Sequence, residues 1–439
     1  MSTIHDDSTP VGHDDILPVE APHRPLWRNG DFLKFWMGQT ISLFGSQVTF
    51  IALPLIAAST LQATPSQMAF LLAIGYAPAT VIGLFAGAWV DRLRRKPIMI
   101  WADIGRAAFL LALPIAATLG FLQVEQLYIV AFLNGILGTF FGSAYGAFLP
   151  TLVLREQRVV ANSRLSTSAS VAGIAGPGLA GVLVQLFTAP VAVTVDALSF
   201  LISALSLGLI RSSEPASQQP SRRAHIWAEM RDGLRVNWRD PFLRAFQLSS
   251  AANDIFWNMV NGVYILYVTR TVGLPPSAIG LIFGIGSGGA LVGSLLAGSV
   301  SRRLGFGRGI ISAQIMVGCI PLLIPLAIWL PTLALPLLVT TEALVGCANT
   351  VFCINRDSLI QTVTPNRLLG RVGASRSFIG LGVATVGVCI GGLLAERIGV
   401  PATVVIGCCG EVPAFLWLLL SPVRALRELP MPMADGAAI

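Results

Sequence analysis

Long apolar segments, separated by short polar ones, occupy most of the chain. A helix needs roughly 20 apolar residues to cross a bilayer, and we read twelve such segments. They are Phe32–Ser59, Met68–Val90, Ile98–Leu119, Leu127–Val153, Ser163–Phe187, Val191–Ile210, Leu243–Thr269, Ala278–Val300, Ile310–Leu330, Leu333–Ile360, Val372–Ala395 and Ala402–Leu420. Several contain Gly or Pro, which membrane helices tolerate because neighbouring helices satisfy the freed backbone groups. The pattern predicts an all-α polytopic membrane protein.

Basic residues are distributed unevenly between the two ends of these segments. With the N-terminus inside, only Arg270 and Arg397 fall in external loops, and Arg106 lies within the third span; all other Lys and Arg face the cytoplasm. This follows the positive-inside rule and predicts an even number of helices with both termini cytoplasmic. We expect a monomeric, multi-pass protein of the inner or plasma membrane, with its basic loops against anionic lipid.

The polar segment in the middle of the chain divides it into two halves. Residues 212–241 contain a Ser/Pro/Gln-rich stretch and then a basic amphipathic helix of the kind that lies at a membrane interface. We therefore expect a disordered tail at 1–29, a six-helix bundle at 30–211, this linker, a second six-helix bundle at 242–422 and a tail at 423–439.

Composition agrees and excludes several functions. Hydrophobic residues make up 54% of the chain and charged residues 12%, about half the charge of a soluble domain. The net charge of +7 lies in the loops and so does not indicate a nucleic-acid partner. The chain has no Walker A motif, which argues against ATP-driven transport. All four histidines lie outside the spans, so we expect no metal site and no cofactor.

Two of the predicted spans carry a stripe of polar side chains. The stripes are Gln39, Ser42, Ser46 and Thr49 in the first span, and Gln247, Ser250, Asp254, Asn258 and Asn261 in the seventh. Spacings of three and four residues place each set on one helix face, and the first three members of each share one sequence offset, as in a duplicated chain. Such faces are costly against lipid, so we expect them to line a water-filled cavity between the halves. Hydrogen bonding between helices without a cavity is the alternative.

Charged residues also occur inside the predicted spans. Asp254 lies about 15 Å along its helix from Arg244, near the bilayer centre, and Glu342, on the same face as Asn349, is equally deep. A charged carboxylate is costly there, so each acid is expected to be protonated much of the time, as a proton-coupling group must be. A structural, hydrogen-bonded acid is the alternative; for Glu411 we favour that structural interpretation.

Asp103 and Arg106 lie three residues apart in the third span, a spacing that brings opposite charges together on a helix. We expect a structural charge pair. Direct contact with a substrate is the alternative.

The loop after the second span carries a recognisable motif. It reads Gly87-Ala-Trp-Val-Asp91-Arg92-Leu-Arg-Arg95-Lys96. This resembles the signature G-x-x-x-D-R-x-G-R-R/K of the major facilitator superfamily, in the form found in the branch of enterobactin exporters and macrolide-efflux proteins. The resemblance implies two pseudo-symmetric six-helix bundles. It also implies a conformational gate in which Asp91 pairs with basic groups across the halves, for which Arg371 and Arg376 are candidates. In the alternative, the basic cluster only sets topology.

A second motif lies in the fifth span, where Gly176, Pro177 and Gly181 resemble part of the antiporter motif G-x-x-x-G-P-x-x-G-G. Small residues allow close helix approach and Pro177 bends the helix. The resemblance implies antiport, whereas generic close packing is the alternative.

These observations together predict a secondary transporter working by alternating access. Our hypothesis is proton-driven efflux (antiport) of a small amphipathic molecule, such as a drug or siderophore, with the proton gradient as the energy source. An importer or uniporter without proton coupling is the alternative. A membrane enzyme lacks a recognisable catalytic constellation in this sequence, and a sensor subunit would need a soluble output domain.

Overall fold

The structure, a computed structural model, describes residues 26–83, 89–90, 93–211 and 226–428. All regular secondary structure in these ranges is helical. The α-helices are α1 Gly30–Leu55, α2 Pro65–Val81, α3 Arg95–Thr118, α4 Val124–Leu152, α5 Arg158–Phe187, α6 Ala189–Gly208, α7 Ile226–Arg239, α8 Pro241–Leu266, α9 Pro276–Leu304, α10 Phe306–Cys319, α11 Ala334–Val363, α12 Asn366–Ile398, α13 Val400–Glu411 and α14 Leu416–Leu419.

Side-chain caps fix where several helices begin. Asn29 accepts a hydrogen bond from the backbone N–H of Phe32 at 3.1 Å and so starts α1. Thr64 and Gln67 form a reciprocal capping box at the start of α2. Asp240 caps α8 by accepting from two backbone N–H groups. Each cap satisfies donors that the first helical turn leaves without partners.

Proline interrupts two helices at corresponding places in the second half. After Cys319, α10 gives way to 3₁₀ turns that contain Pro321 and Pro325. After Glu411, α13 gives way to a 3₁₀ turn that contains Pro413, and the chain then continues as α14. Proline lacks the N–H that an α-helix needs, so the regular helix ends there while the chain keeps its direction.

Ten helices in the described ranges are long and apolar enough to cross a membrane, against the twelve predicted. The first of the two others is α2, of which 17 residues precede a stretch outside the described residues. The second is α8, 26 residues long, whose polar stripe lowers its apolar character. The twelve-helix count therefore stays a prediction, whereas the all-helical membrane fold is confirmed.

The same helix pairings recur in both halves. In the first half α1 packs against α5 and α6, α2 against α4, and α3 against α4 and α6. In the second half α8 packs against α12 and α13, α9 against α11, and α10 against α11. Each half has its own apolar core, centred on Phe35 and Phe148 in the first and on Phe246 and Phe352 in the second.

The halves meet at the end formed by the loops that follow α1 and α8, which we call the predicted external end. Here α5 packs against α9 and α2 against α12. Ser66 of α2 donates a hydrogen bond to Glu396 of α12, and Arg270 donates to the carbonyl of Ala58 at 2.6 Å. Farther along, α5 and α9 separate around a cavity of about 330 Å³ that Ser170 and Ser287 line. The structure is thus closed at the predicted external end.

The predicted linker and tails are partly outside the described residues, which omit 1–25, 212–225 and 429–439. The amphipathic helix is α7, and it packs against α12. There Asn237 is buried and donates to Ser375 at 2.7 Å. Beyond α14, Val423 is also buried and Gly307 donates its N–H to the carbonyl of Leu426 at 2.9 Å. The folded second half therefore extends past the predicted boundary at 422.

Candidate functional site

A cluster of charged side chains joins α8, α11 and α12 in the second half. Arg376 of α12 donates to Asp357 of α11 at 2.8 Å, and Arg356 donates to the same carboxylate oxygen at 3.0 Å. The guanidinium of Arg356 also reaches Ser250 of α8 at 3.4 Å. Both guanidiniums act electrostatically on Asp254, one turn beyond Ser250. Two cations thus face two carboxyl groups across three helices.

Asp254 is half-buried, so part of its surface is accessible. When Asp254 and Asp357 are both ionised, they balance Arg356 and Arg376. When Asp254 takes up a proton, the cluster has one excess positive charge, and both guanidiniums are left with Asp357 alone. Protonation of Asp254 would therefore weaken the electrostatic attraction between α8 and the two guanidiniums.

Two further acids lie deeper in the same half. Glu342 is buried beside Tyr264. Glu411 of α13 is 1% exposed, and neither carboxyl oxygen has a hydrogen-bond partner among the described residues. Glu411 interacts electrostatically with Glu342 and Asp254. Since burial of an isolated carboxylate is costly, these acids are expected to be neutral. Glu411 is thus buried, as we expected of a structural acid. The hydrogen bonds that we expected of such an acid are absent among the described residues.

The rest of the α8 stripe is divided between packing and contact across the halves. Gln247 and Asn258 are buried, and Asn258 donates to the carbonyl of Asp254 at 2.8 Å. Asn261 is half-buried and hydrogen-bonds with Tyr76 of α2, in the other half. On α11, Asn349 is exposed. The stripe therefore continues from the charged cluster to the boundary between the halves.

The α1 stripe has a different environment. Gln39 and Ser42 are 6% and 7% exposed, and Gln39 donates to Ser203 of α6 at 3.1 Å. Ser46 is half-buried. Gln39 and Ser42 thus serve contacts between helices in this conformation. Their exposure to a cavity in another conformation stays a prediction.

Asp103 and Arg106 do come together, and a third charge joins them. Arg106 Nη1 lies 3.9 Å from Asp103 Oδ1, its Nε donates to Asn134 at 3.0 Å, and its guanidinium stacks on Phe200 at 3.8 Å. It also acts electrostatically on Asp196 of α6. Both acids are at most 1% exposed. The predicted charge pair is thus part of a triad, with two buried carboxyl groups around one half-buried cation.

The predicted conformational gate is only partly visible. Gly87, Asp91 and Arg92 lie outside the described residues. Lys96 donates to the carbonyl of Ile210 at 2.7 Å and so ties α3 to the end of α6, and Arg95 begins α3. Arg371 lies on α12 with its backbone against α7, while Arg376 pairs with Asp357. The pairing of Asp91 with Arg371 or Arg376 stays a prediction.

The antiporter-like motif lies where α5 meets two neighbours. A Cβ added at Gly176 would lie 2.6 Å from Cβ of Gln47 on α1. One added at Gly181 would lie 2.9 Å from the carbonyl oxygen of Pro276 and 3.0 Å from Cα of Ser277 at the start of α9. Pro177 lies between the two glycines, and its carbonyl faces Gly280. Gly176 thus allows α5 to approach α1 within the first half, and Gly181 allows α5 to touch α9 of the second half at the predicted external end.

Sequence reasoning did not assign Asp357, Tyr76 or Asp196 to a site. Asp357 follows Arg356 directly within a predicted membrane span, which was a usable signal. Tyr76 and Asp196 come from other helices than their partners, and helical periodicity cannot pair residues between helices.

Comparison with known proteins identifies the family. The family model described as Major Facilitator Superfamily matches residues 35–253 and 246–432. The chain is 28% identical over 375 residues to macrolide efflux protein A of Streptococcus pyogenes, covering 84% of this chain and 90% of that protein. It is 26% identical to the multidrug efflux pump Tap of Mycolicibacterium fortuitum, covering 82% and 88%. It is 25% identical to the enterobactin exporter EntS of Citrobacter koseri, covering 82% and 85%.

Solved structures show the same fold. A bacterial homologue of the iron transporter ferroportin in its inward-facing state has a TM-score of 0.73 at 18% identity, covering 90% of this chain and 99% of that one. A structure described in the same words but outward-facing has a TM-score of 0.54 at 18% identity, covering 89% and 98%. Both likenesses show the fold of the chain.

Proposed function

Because the chain belongs to the major facilitator superfamily, we propose that it exports a small amphipathic molecule, such as a drug or siderophore, in exchange for protons. The chain is a multi-pass protein of the cell membrane, and its relatives are transporters rather than enzymes. Relatives named for efflux of macrolides, several drugs and enterobactin support export. The proposal includes twelve helices with both termini in the cytoplasm, so that the predicted external end faces outward and the structure faces inward.

The observation that carries proton coupling is the cluster of Asp254 with Arg356, Arg376 and Asp357. Asp254 is half-buried on the helix face that continues to the boundary between the halves. In the proposed cycle, a proton from outside neutralises Asp254 and loosens its hold on the two guanidiniums. Release of that proton to the cytoplasm restores the cluster. Substrate leaves in the opposite direction because the states that bind it and the proton differ.

The test is transport by the purified protein in liposomes with an imposed pH gradient, screened over macrolides, other drugs and siderophores. We expect Asp254→Asn to remove the dependence of transport on the gradient and to leave substrate exchange at equal pH. Glu156→Gln, which changes an exposed carboxylate between α4 and α5, should behave as wild type. Transport by Asp254→Asn that still follows the gradient would exclude this carboxylate, and Glu342→Gln would then be examined.

The same assay tests the direction of substrate transport and its coupling to protons. Substrate movement down its own gradient with no response to pH would favour the alternative, an importer or uniporter without proton coupling. Accumulation of substrate in the liposome lumen when the lumen is more acidic than the outer medium would support exchange, because protons that leave the lumen would drive substrate into it.

A further inference from the structure

Two adjoining cavities lie on the outer side of the first half, between α1, α5 and α6. One, of about 360 Å³, is lined by Trp36, Thr40 and Phe44 of α1 together with Arg164 and Ser168 of α5. The other, of about 460 Å³, lies between α1, α5 and α6 and shares Thr40 and Phe44 with the first. The two therefore form one continuous depression, which we call the α1–α5 groove.

The groove faces lipid rather than the space between the halves. The larger of its two cavities is lined by apolar side chains that are exposed on the protein surface, including Ile41 at 39%, Leu179 at 44% and Leu198 at 52%. In a protein that lies within a bilayer, an exposed apolar face is in contact with lipid. Gly45, which also lines this cavity, packs against α6, and Gln47 packs against α5.

One end of the groove is polar and cationic. The guanidinium of Arg164 lies 5.7 Å from the centre of the Trp36 ring. Trp36 Nε1 donates to Ser168 Oγ at 2.9 Å, and Thr40 donates to the same oxygen at 3.0 Å. Arg164 Nε is buried and has no hydrogen-bond partner among the described residues. Among the residues that line either cavity, Arg164 is the one charged group, so this cation has no acid beside it in the groove.

The groove as a whole has about the length of one leaflet. From Trp36 at its polar end to Val48 at its apolar end, α1 advances twelve residues, or about 18 Å, and half of a hydrocarbon core is about 15 Å thick. Arg164 lies six residues after the start of α5 at Arg158, about 9 Å along the helix. Its end of the groove is thus the one nearer the predicted cytoplasmic loops, where a phospholipid headgroup would lie.

We propose that the α1–α5 groove binds one anionic phospholipid, with the phosphate on Arg164 and an acyl chain along Phe44 and Val48 toward Leu198. The positive charge of Arg164 favours an anionic headgroup. It favours a zwitterionic headgroup less, because the ammonium of such a lipid competes with Arg164 for the phosphate. Ser168 is 7% exposed and held by two donors, so the side chains around the headgroup are fixed before the lipid arrives. With the proposed orientation, this lipid comes from the inner leaflet.

The experiment measures lipid binding to the purified full-length protein in detergent by native mass spectrometry. The probes are phosphatidylglycerol and phosphatidylcholine with identical chains, and glycerol 3-phosphate, which has the phosphate without chains. We expect phosphatidylglycerol to bind more tightly than phosphatidylcholine, and Arg164→Gln to weaken phosphatidylglycerol binding about tenfold, the effect of losing one charge-assisted hydrogen bond. Glycerol 3-phosphate should not bind measurably.

Two variants keep the test decisive if Arg164→Gln does not fold. Arg158→Gln removes an exposed cation on the same helix outside the groove and should leave the lipid preference unchanged. Ile41→Trp narrows the apolar part without changing any charge, and it should weaken binding of both lipids. Equal loss of preference in Arg158→Gln and Arg164→Gln would overturn the proposal, since it would show a diffuse effect of basic loops. Equal affinity for the two lipids in wild type, or tight binding of glycerol 3-phosphate, would also overturn it.

Discussion

Replacing Gly181 with alanine should open the predicted external end of the transporter. In the structure α5 and α9 touch at this glycine, and an added Cβ would lie 2.9 Å from the carbonyl oxygen of Pro276 and 3.2 Å from Cα of Gly280. These are backbone atoms, which cannot turn aside as a flexible side chain can. The two helices must therefore separate or shift when alanine is present.

The size of the effect follows from the cost of overpacking, which is about 1–3 kcal/mol for an extra group in a well-packed contact. That cost arises only in the state in which α5 and α9 touch, so it shifts the equilibrium toward the outward-open state by roughly 5- to 150-fold. If about one molecule in ten is outward-open in wild type, the fraction would rise to between about a third and more than nine tenths. The gain in helix propensity from Gly to Ala is common to both states and cancels.

The assay is a distance measurement between spin labels at Leu186 and Trp329, which are 69% and 81% exposed near the predicted external end. The labels are placed in a background whose six cysteines are replaced. Gly178→Ala is the matched control, because an added Cβ there has nothing within 4 Å. Longer distances in Gly181→Ala but not in Gly178→Ala would support the reasoning. Identical distance distributions in the two variants would refute it.

Three further predictions concern the charged contacts. Arg106→Met leaves buried carboxyl groups without their cation and should lower the free energy of unfolding by about 3–5 kcal/mol, measured by denaturant unfolding in detergent; wild-type stability would show that the triad is not ionised. Asp357→Asn removes the partner of Arg356 and Arg376 and should cost about 1–2 kcal/mol in the same measurement, while an unchanged midpoint would mean that other groups hold both guanidiniums. Arg270→Gln removes the bond to a backbone carbonyl across the halves and should lengthen the Leu186–Trp329 distances toward those of the outward-open state; unchanged distances would show that this bond does not hold the end closed.

Most of the helical frame could be predicted from hydrophobic periodicity. The predicted span Leu333–Ile360 corresponds to α11, Ala334–Val363, and Val191–Ile210 corresponds to α6, Ala189–Gly208. The resemblance to the major facilitator superfamily is confirmed by the family match. Apolar length is a strong signal because the bilayer imposes one thickness on every span. The hydropathy signal is weakest for α8, because its polar face lowers the mean hydropathy of the helix. Its packing nevertheless places α8 among the membrane-spanning helices.

The site could be predicted only as far as single helices allow. Periodicity correctly grouped Gln39 with Ser42 on one face, but it could not show that this face meets Ser203 of α6. A signal was present in Gly38 and Gly45, which allow α1 to approach α6 closely, because such small residues mark helix contacts. Partners on different helices are set by packing of the whole bundle, and no local pattern encodes them.

The two polar stripes show that equivalent positions need not have equivalent roles. Ser46 and Asp254 occupy matching places in the two halves, but only the second half sets a carboxyl group there against two guanidiniums. In the first half the buried carboxyl groups are on α3 and α6, where Asp103 and Asp196 share the half-buried Arg106. A carboxyl group that must exchange protons with water needs access as well as a charge partner. Asp254 is half-buried and has charge partners, whereas the two carboxyl groups beside Arg106 are buried and have the partner alone, and this is why we assign coupling to the second half.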